Sequence, residues 1–376
     1  MKPLLAALLA LAALAAPAQP ITPPPVAAKA FVVVDALSGQ TLASAAENER
    51  FEPASLTKMM TAWLAFEAIR AGQVDVNKVV RVSENAAKVP GARMFLSAGQ
   101  DVALGDLLRG MIVESGNDAA TAIAEAIAGS QVAFVARMNA QAVKLGLANT
   151  HYENATGQPS AQHYSSARDL AVLATALMRE FPDHFALFSQ KEFAFNKITQ
   201  SNRNRLLWTD PSVDGMKTGF TEGAGYCLVA TARRGERRIV SVLLGAQSDT
   251  ARTTESQKLL NFAFQAYETR RLYKGGDMVA NPAIYKGTSA NARLGFERDI
   301  WLTLPRDHFT GLKAVLETRQ PFVAPLAAGE KAGIMKLVRD NAPLAQYPVV
   351  ALEEVPVAGF LSRGWDTIKL MFLSSP

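Results

Sequence analysis

The sequence predicts an α+β chain: an antiparallel sheet of about five strands with helices on its faces, followed by a smaller all-β domain. Three observations lead there. Strand-like hairpins stand near residues 30–44 and 226–244, the stretch between them is largely helical in periodicity, and from about residue 273 short β-rich runs alternate with Pro and Gly turns. A length of 376 residues agrees, since it suggests two or three domains with ample chain for a buried core.

Taken in order, Lys2, the apolar run 4–16 and Ala16-Pro17-Ala18 reproduce a secretory signal peptide over residues 1–18, cleaved before Gln19. That run is too short to span a bilayer, which needs about 20 apolar residues. Pro17, Pro20, Pro23, Pro24 and Pro25 would end a buried helix at once. The mature chain is therefore expected outside the cytoplasm.

Residues 30–35 (AFVVVD) read as a buried strand, 37–40 as a turn and 41–44 as the returning strand. Over residues 55–71, Leu56, Met59, Met60, Trp63, Leu64 and Phe66 recur near helical spacing, with Gly72 as the stop. Further helices are expected at 118–128, at 131–145 behind Ser130 and at 167–179 behind Ser166. Strands at 226–232 and 238–244 flank Arg234-Gly235-Glu236, and residues 256–267 form a closing helix, so a first domain spans 26–270. Runs such as 292–304 and 334–338 place a β-rich domain at 273–357.

The tail, 358–376, is expected to form an amphipathic helix. At 100° per residue Phe360, Leu361, Trp365, Ile368, Met371 and Phe372 share one face, opposite Ser362, Arg363, Asp366 and Lys369, and only Leu370 and Leu373 break the division. Aromatic residues on one side and cations on the other suit a helix lying flat at a membrane surface.

Composition narrows the function. The net charge of +5 is spread from Lys29 to Lys369 with no basic stripe interleaved with aromatics, which argues against nucleic acid as a partner. One cysteine, Cys227, excludes an internal disulfide framework. With no Cys-x-x-Cys pair and four scattered histidines, the sequence offers no metal site, and no organic cofactor is expected.

The chemistry lies in three short motifs. Ser55-Leu56-Thr57-Lys58 puts a hydroxyl and an amine on one helical face. Serine becomes a useful nucleophile when a base takes its proton, and a neutral lysine can do so once burial or a nearby cation lowers its pKa. Alone, a Ser-x-x-Lys arises about once by chance in a chain of this length. Ser115-Gly116-Asn117 adds a hydroxyl for proton relay and an amide for substrate. Lys217-Thr218-Gly219, a tripeptide expected by chance only about 0.05 times, sits on a predicted strand. That strand's edge could pair with an extended peptide, and Lys217 could supply the cation that keeps Lys58 neutral. Cys227, on the next strand, reads as a packed thiol.

This ordered set is the one found in class A β-lactamases and penicillin-binding proteins, with Ser-Gly-Asn in place of Ser-Asp-Asn. The segments PASLTKMMTA, RMFLSAG, ESGNDAA, FAFNKITQSNRNRLLW, VDGMKTGFT and VSVLLGAQSDTARTTESQKLLNF resemble low-molecular-weight penicillin-binding proteins of the D-alanyl-D-alanine carboxypeptidase family, over about residues 30–267.

The resemblance implies a transpeptidase-like fold and an exported serine carboxypeptidase that removes the terminal D-Ala from peptidoglycan pentapeptide stems. It further implies that β-lactams acylate the same serine, and that the terminal helix anchors the chain at the periplasmic face of the membrane. Ser55 would be the nucleophile, Lys58 its base, and Ser115, Asn117 and Lys217 would assist proton transfer and positioning. Thr218, Gly219 and Arg252 would meet the substrate, with the Ser55 and Phe220 backbone N–H groups as oxyanion hole. Two other readings stay open. A serine β-lactamase would need a deacylating carboxylate, for which Tyr152-Glu153-Asn154-Ala155-Thr156-Gly157 carries no convincing acidic-loop signature; an idle cell-wall scaffold would not need the motifs intact.

Overall fold

The structure is a computed structural model that describes residues 21–373; the leader read at residues 1–18 lies outside the described residues. Five antiparallel strands form the central sheet in the order Thr41–Ala45, Ala30–Asp35, Arg237–Ala246, Gly225–Arg234, Val213–Thr221. The N-terminal hairpin thus closes against the last strand of the unit, with Val32 opposite Val242. Both faces of the AFVVVD strand are covered, which explains its unbroken apolar run. Ala30 and Val32 pack toward a helical layer, and Phe31 and Val33 toward a closing helix, Asp249–Ala266.

That helix starts earlier than residue 256. Ser248 caps it by accepting from the Ala251 N–H at 3.0 Å, and it ends before Tyr267, which opens a strand. Ser130 and Ser166 cap Gln131–Lys144 and Ala167–Glu180 as expected. Among the elements that went unread in the sequence are the helix Leu104–Val113 and the hairpin Glu192–Phe195/Ile198–Ser201.

The first motif departs from a simple helix. Ala54–Thr57 is a 3₁₀ turn, and the α-helix Lys58–Arg70 begins only after it. A 3₁₀ turn has three residues per turn and brings i and i+3 into register, so Ser55 and Lys58 stack more directly than in an α-helix. The helix itself is buried from Lys58 through Phe66, which makes it the central post of the unit.

Beyond it, Tyr267–Tyr273 pairs with Ile300–Pro305, so residues 267–270 hydrogen-bond with the β-rich part of the chain. A five-stranded sheet follows, in the order Met278–Ala280, Leu294–Gly295, Ala342–Ala351, Lys331–Arg339, Leu312–Thr318, over a core that includes Phe296, Leu302, Leu337 and Val349. The run read over 292–304 is broken after Gly295: Leu294–Gly295 joins the five-stranded sheet, Ile300–Pro305 pairs instead with Tyr267–Tyr273, and between them the Asp299 carboxylate accepts the Gly275 N–H at 2.8 Å. At the junction, Asp35 accepts from Arg237 Nε at 2.9 Å and from the Thr269 hydroxyl at 2.6 Å.

The terminal helix, Phe360–Leu373, exposes Phe360, Leu361 and Trp365 by 81, 87 and 63%. Asp366 ties its polar side to the β unit by accepting the Lys286 N–H at 2.7 Å. The Phe372 and Leu373 side chains lie outside the described residues. No single helix among the described residues is long and apolar enough to cross a membrane.

Candidate active site

The 3₁₀ turn is held from two sides. Ala54 takes a left-handed conformation (φ 49°), a strain of the kind that collects at functional sites. Gly157 lies so close that a Cβ there would sit 1.8 Å from the Ala54 carbonyl oxygen, and a Cβ on Gly219 would sit 3.1 Å from that of Pro53. Glycine at these positions lets a loop and the edge strand Val213–Thr221 press directly on the nucleophile turn.

Lys58 is buried, and its Nζ lies 3.0 Å from Ser55 Oγ, 2.7 Å from Asn117 Oδ1 and 2.6 Å from the Thr156 carbonyl oxygen. Asn117 is oriented from its other end, because its Nδ2 donates to the Pro90 carbonyl at 2.6 Å. The next residue, Asp118, accepts the Met94 and Leu96 N–H groups at 3.0 and 3.1 Å, which pins the 93–99 loop beside the motif. Ser115 is left-handed (φ 67°), and its buried Oγ has no hydrogen-bond partner among the described residues. A hydroxyl with free capacity there is available to a bound substrate.

The pKa of Lys58 is lowered to about 7, chiefly by burial, then by the Arg203 cation, against the opposing charge of Asp118. The sequence reading expected Lys217 to be that cation; the guanidinium of Arg203 is a second one it did not name, and Lys58 and Lys217 repel each other as well. Lys217, buried with Nζ donating to the Thr218 carbonyl at 3.1 Å, is itself held well below the usual lysine range by burial and then by repulsion from Lys58. Cys227 is buried and its thiol is pushed up to about 11 by burial, in keeping with a packed side chain.

Ser55, Ser115, Asn117, Thr218, Gly219, Phe220 and Arg252 all line one cleft of about 740 Å³, with Lys58 and Lys217 buried beneath. Arg252 reaches it from the closing helix, donating to the Gly219 carbonyl at 3.3 Å and to the Arg203 carbonyl at 3.4 Å and pairing with Asp249. Phe220 is half exposed and packs on Tyr226 with ring centroids 4.4 Å apart. Sequence reasoning assigned no role to Arg203, although it lies in one of the segments that carried the resemblance. Thr156 went unnoticed because a backbone carbonyl leaves no residue-type signal. Among the residues lining the cleft the only carboxylate is Asp249, already paired with Arg205 and Arg252.

The chain is similar to known proteins over most of its length. Residues 17–248 match the family described as D-alanyl-D-alanine carboxypeptidase, and residues 267–357 match the C-terminal domain of penicillin-binding protein 5. The D-alanyl-D-alanine carboxypeptidase DacC of Escherichia coli is 39% identical over 357 residues, covering 93% of this chain and 89% of its own length. Penicillin-binding protein 5 of Haemophilus influenzae superposes with a TM-score of 0.86 at 36% identity, over 89% of this chain and all but 1% of that one (99%). Penicillin-binding protein D2 of Listeria monocytogenes, solved in its ampicillin-bound form, superposes with a TM-score of 0.60 at 28% identity, over 65% of this chain and 99% of that one.

Proposed function

The chain belongs to the D-alanyl-D-alanine carboxypeptidase family, and we propose that Ser55 is the residue its substrate and β-lactams acylate, with Lys58 as base. The protein is a serine-type carboxypeptidase that removes the terminal D-alanine from peptidoglycan pentapeptide stems. One observation carries the assignment of residues: the three oxygens around Lys58 Nζ.

A neutral amine has two N–H donors and one lone pair. With Asn117 Oδ1 and the Thr156 carbonyl accepting the two protons, the lone pair is left facing Ser55 Oγ, 3.0 Å away. At a pKa of about 7, about half of the lysine is neutral at pH 7, against about 0.04% for an ordinary one.

Ser55 Oγ then attacks the carbonyl of the penultimate D-Ala, while the Ser55 and Phe220 N–H groups hold the developing oxyanion, one donor being worth about 3 kcal/mol. Ser115 relays the proton to the departing amine, helped by Asn117 and Lys217. D-Ala leaves, and water hydrolyses the ester. Thr218 and the Arg252 and Arg203 guanidinium groups receive the terminal carboxylate, and the Gly219 strand edge pairs with the peptide. The absence of an unpaired carboxylate among the cleft-lining residues favours slow β-lactam turnover and speaks against a β-lactamase. Intact mass after penicillin treatment tests the site: wild type gains one adduct and Ser55→Ala gains none, and an adduct on the variant overturns the assignment.

Residues 26–270 carry this chemistry, the leader exports it, and the 273–357 domain stands between it and a terminal helix that lies on the periplasmic face of the membrane. The exposed Phe360, Leu361 and Trp365 support that anchor. Deleting residues 358–376 moves the protein from the membrane to the soluble fraction; its retention in the membrane removes the helix from that role.

A further inference from the structure

Beside the nucleophile turn lies a buried histidine that the mechanism does not use. His163 Nε2 is 2.8 Å from Thr57 Oγ1, and Thr57 sits between Ser55 and Lys58 in the same turn. Its Nδ1 is 3.2 Å from both the Glu153 backbone nitrogen and Asn154 Nδ2.

A backbone N–H can only donate, so Nδ1 must accept, and the ring proton resides on Nε2, where it donates to Thr57. Protonating Nδ1 would oppose it to donors, and burial holds this ring down to about 4, with nearby His151 adding to the effect and Glu153 opposing it. Tyr152 closes the site edge-on, 5.7 Å between ring centroids. The imidazole is neutral wherever Lys58 works.

From His163 the contacts run on to the base. Asn154 donates from Nδ2 to the Gln158 carbonyl at 3.0 Å, and its Oδ1 accepts the N–H groups of Thr156, Gly157 and Gln158 at 3.1, 2.8 and 3.1 Å. These bonds wind residues 154–158 into one tight turn. The carbonyl that this turn presents is that of Thr156, 2.6 Å from Lys58 Nζ.

We propose that His163 is a positioning residue for the general base: a neutral strut from Thr57 to the Asn154 turn that fixes the Thr156 carbonyl and so aims the Lys58 lone pair at Ser55. The inference rests on Lys58 serving Ser55 as base. Displacing a reacting group by about 1 Å can cost on the order of 10²-fold in rate without weakening binding.

The test is the rate constant of penicillin acylation, separated from its non-covalent affinity by stopped flow, at a temperature where each variant keeps the wild-type near-UV circular dichroism. Thr57→Val removes only the hydroxyl, and His163→Asn keeps an acceptor toward residues 153–154 while falling short of Thr57. Each lowers the acylation rate constant by about ten- to a hundredfold at little-changed affinity. The double variant is no slower than the slower single one, because both cut the same strut, and Thr57→Ser recovers most of the rate. A folded Thr57→Val that acylates at the wild-type rate, multiplying effects in the double variant, or Thr57→Ser as slow as Thr57→Val overturns the strut. A wild-type chain that forms no adduct overturns instead the reading on which it rests.

Discussion

The two halves of the molecule bury polar groups on different terms. The first interior holds Lys58, Lys217, Arg252, Glu114 and Asp118, whereas in the β unit Thr303 is the one buried polar residue among those described, and it faces the junction, 2.7 Å from the Ser38 hydroxyl. Taking charge out of water is costly, and a well-packed apolar core stabilises as well or better. Lowering Lys58 from 10.5 to about 7 corresponds to a cost on the order of 5 kcal/mol. Glu114, immediately before Ser115, is pushed up to about 7, mainly by burial and then by the charge of Asp118. Such costs persist where chemistry needs unusual protonation states. Among the described residues the β unit carries no comparable burden.

Substitutions that separate the two halves test this contrast. The largest effect belongs to Lys58→Met, which keeps volume but removes the base: acylation by penicillin falls by about 10²- to 10⁴-fold in stopped flow, and a loss under tenfold would mean that Ser55 finds its base elsewhere. Next comes pH. Only the unprotonated amine can take the Ser55 proton, so the acylation rate should rise about tenfold per pH unit below about 7 and level off above it. A flat profile from pH 5 to 7 would detach Lys58 from the rate. The smallest effect on chemistry comes from the dry core: Leu337→Ala costs roughly 2–5 kcal/mol in the β unit by denaturant melting and leaves acylation within about twofold. A matching loss of acylation would show that the two halves are coupled.

Much of the architecture was legible. The hairpin at residue 30, the strands on either side of Arg234-Gly235-Glu236 and the caps at Ser130 and Ser166 follow from side-chain alternation and local hydrogen bonding. Less readable were the short pieces. The helix Leu104–Val113 lacks a side-chain cap, and the hairpin 192–201 has few buried side chains to mark its period. In the site, the motif residues announced themselves by type and order, while Arg203, the Thr156 carbonyl and His163 did not.

Residue order by itself determined the family, the three motifs and the alternation of strands and helices, because each is written within a few neighbouring residues. Tertiary structure decided that Arg203 adds its charge beside Lys58, which carbonyl orients the lysine, and that Tyr267 begins a strand of the β unit. Those outcomes depend on groups 59 to 202 positions apart meeting in a dry interior, as Lys58 meets Asn117 and Thr156 and as Asp35 meets Arg237. Local propensity carries no information about such meetings; burial and close approach create them.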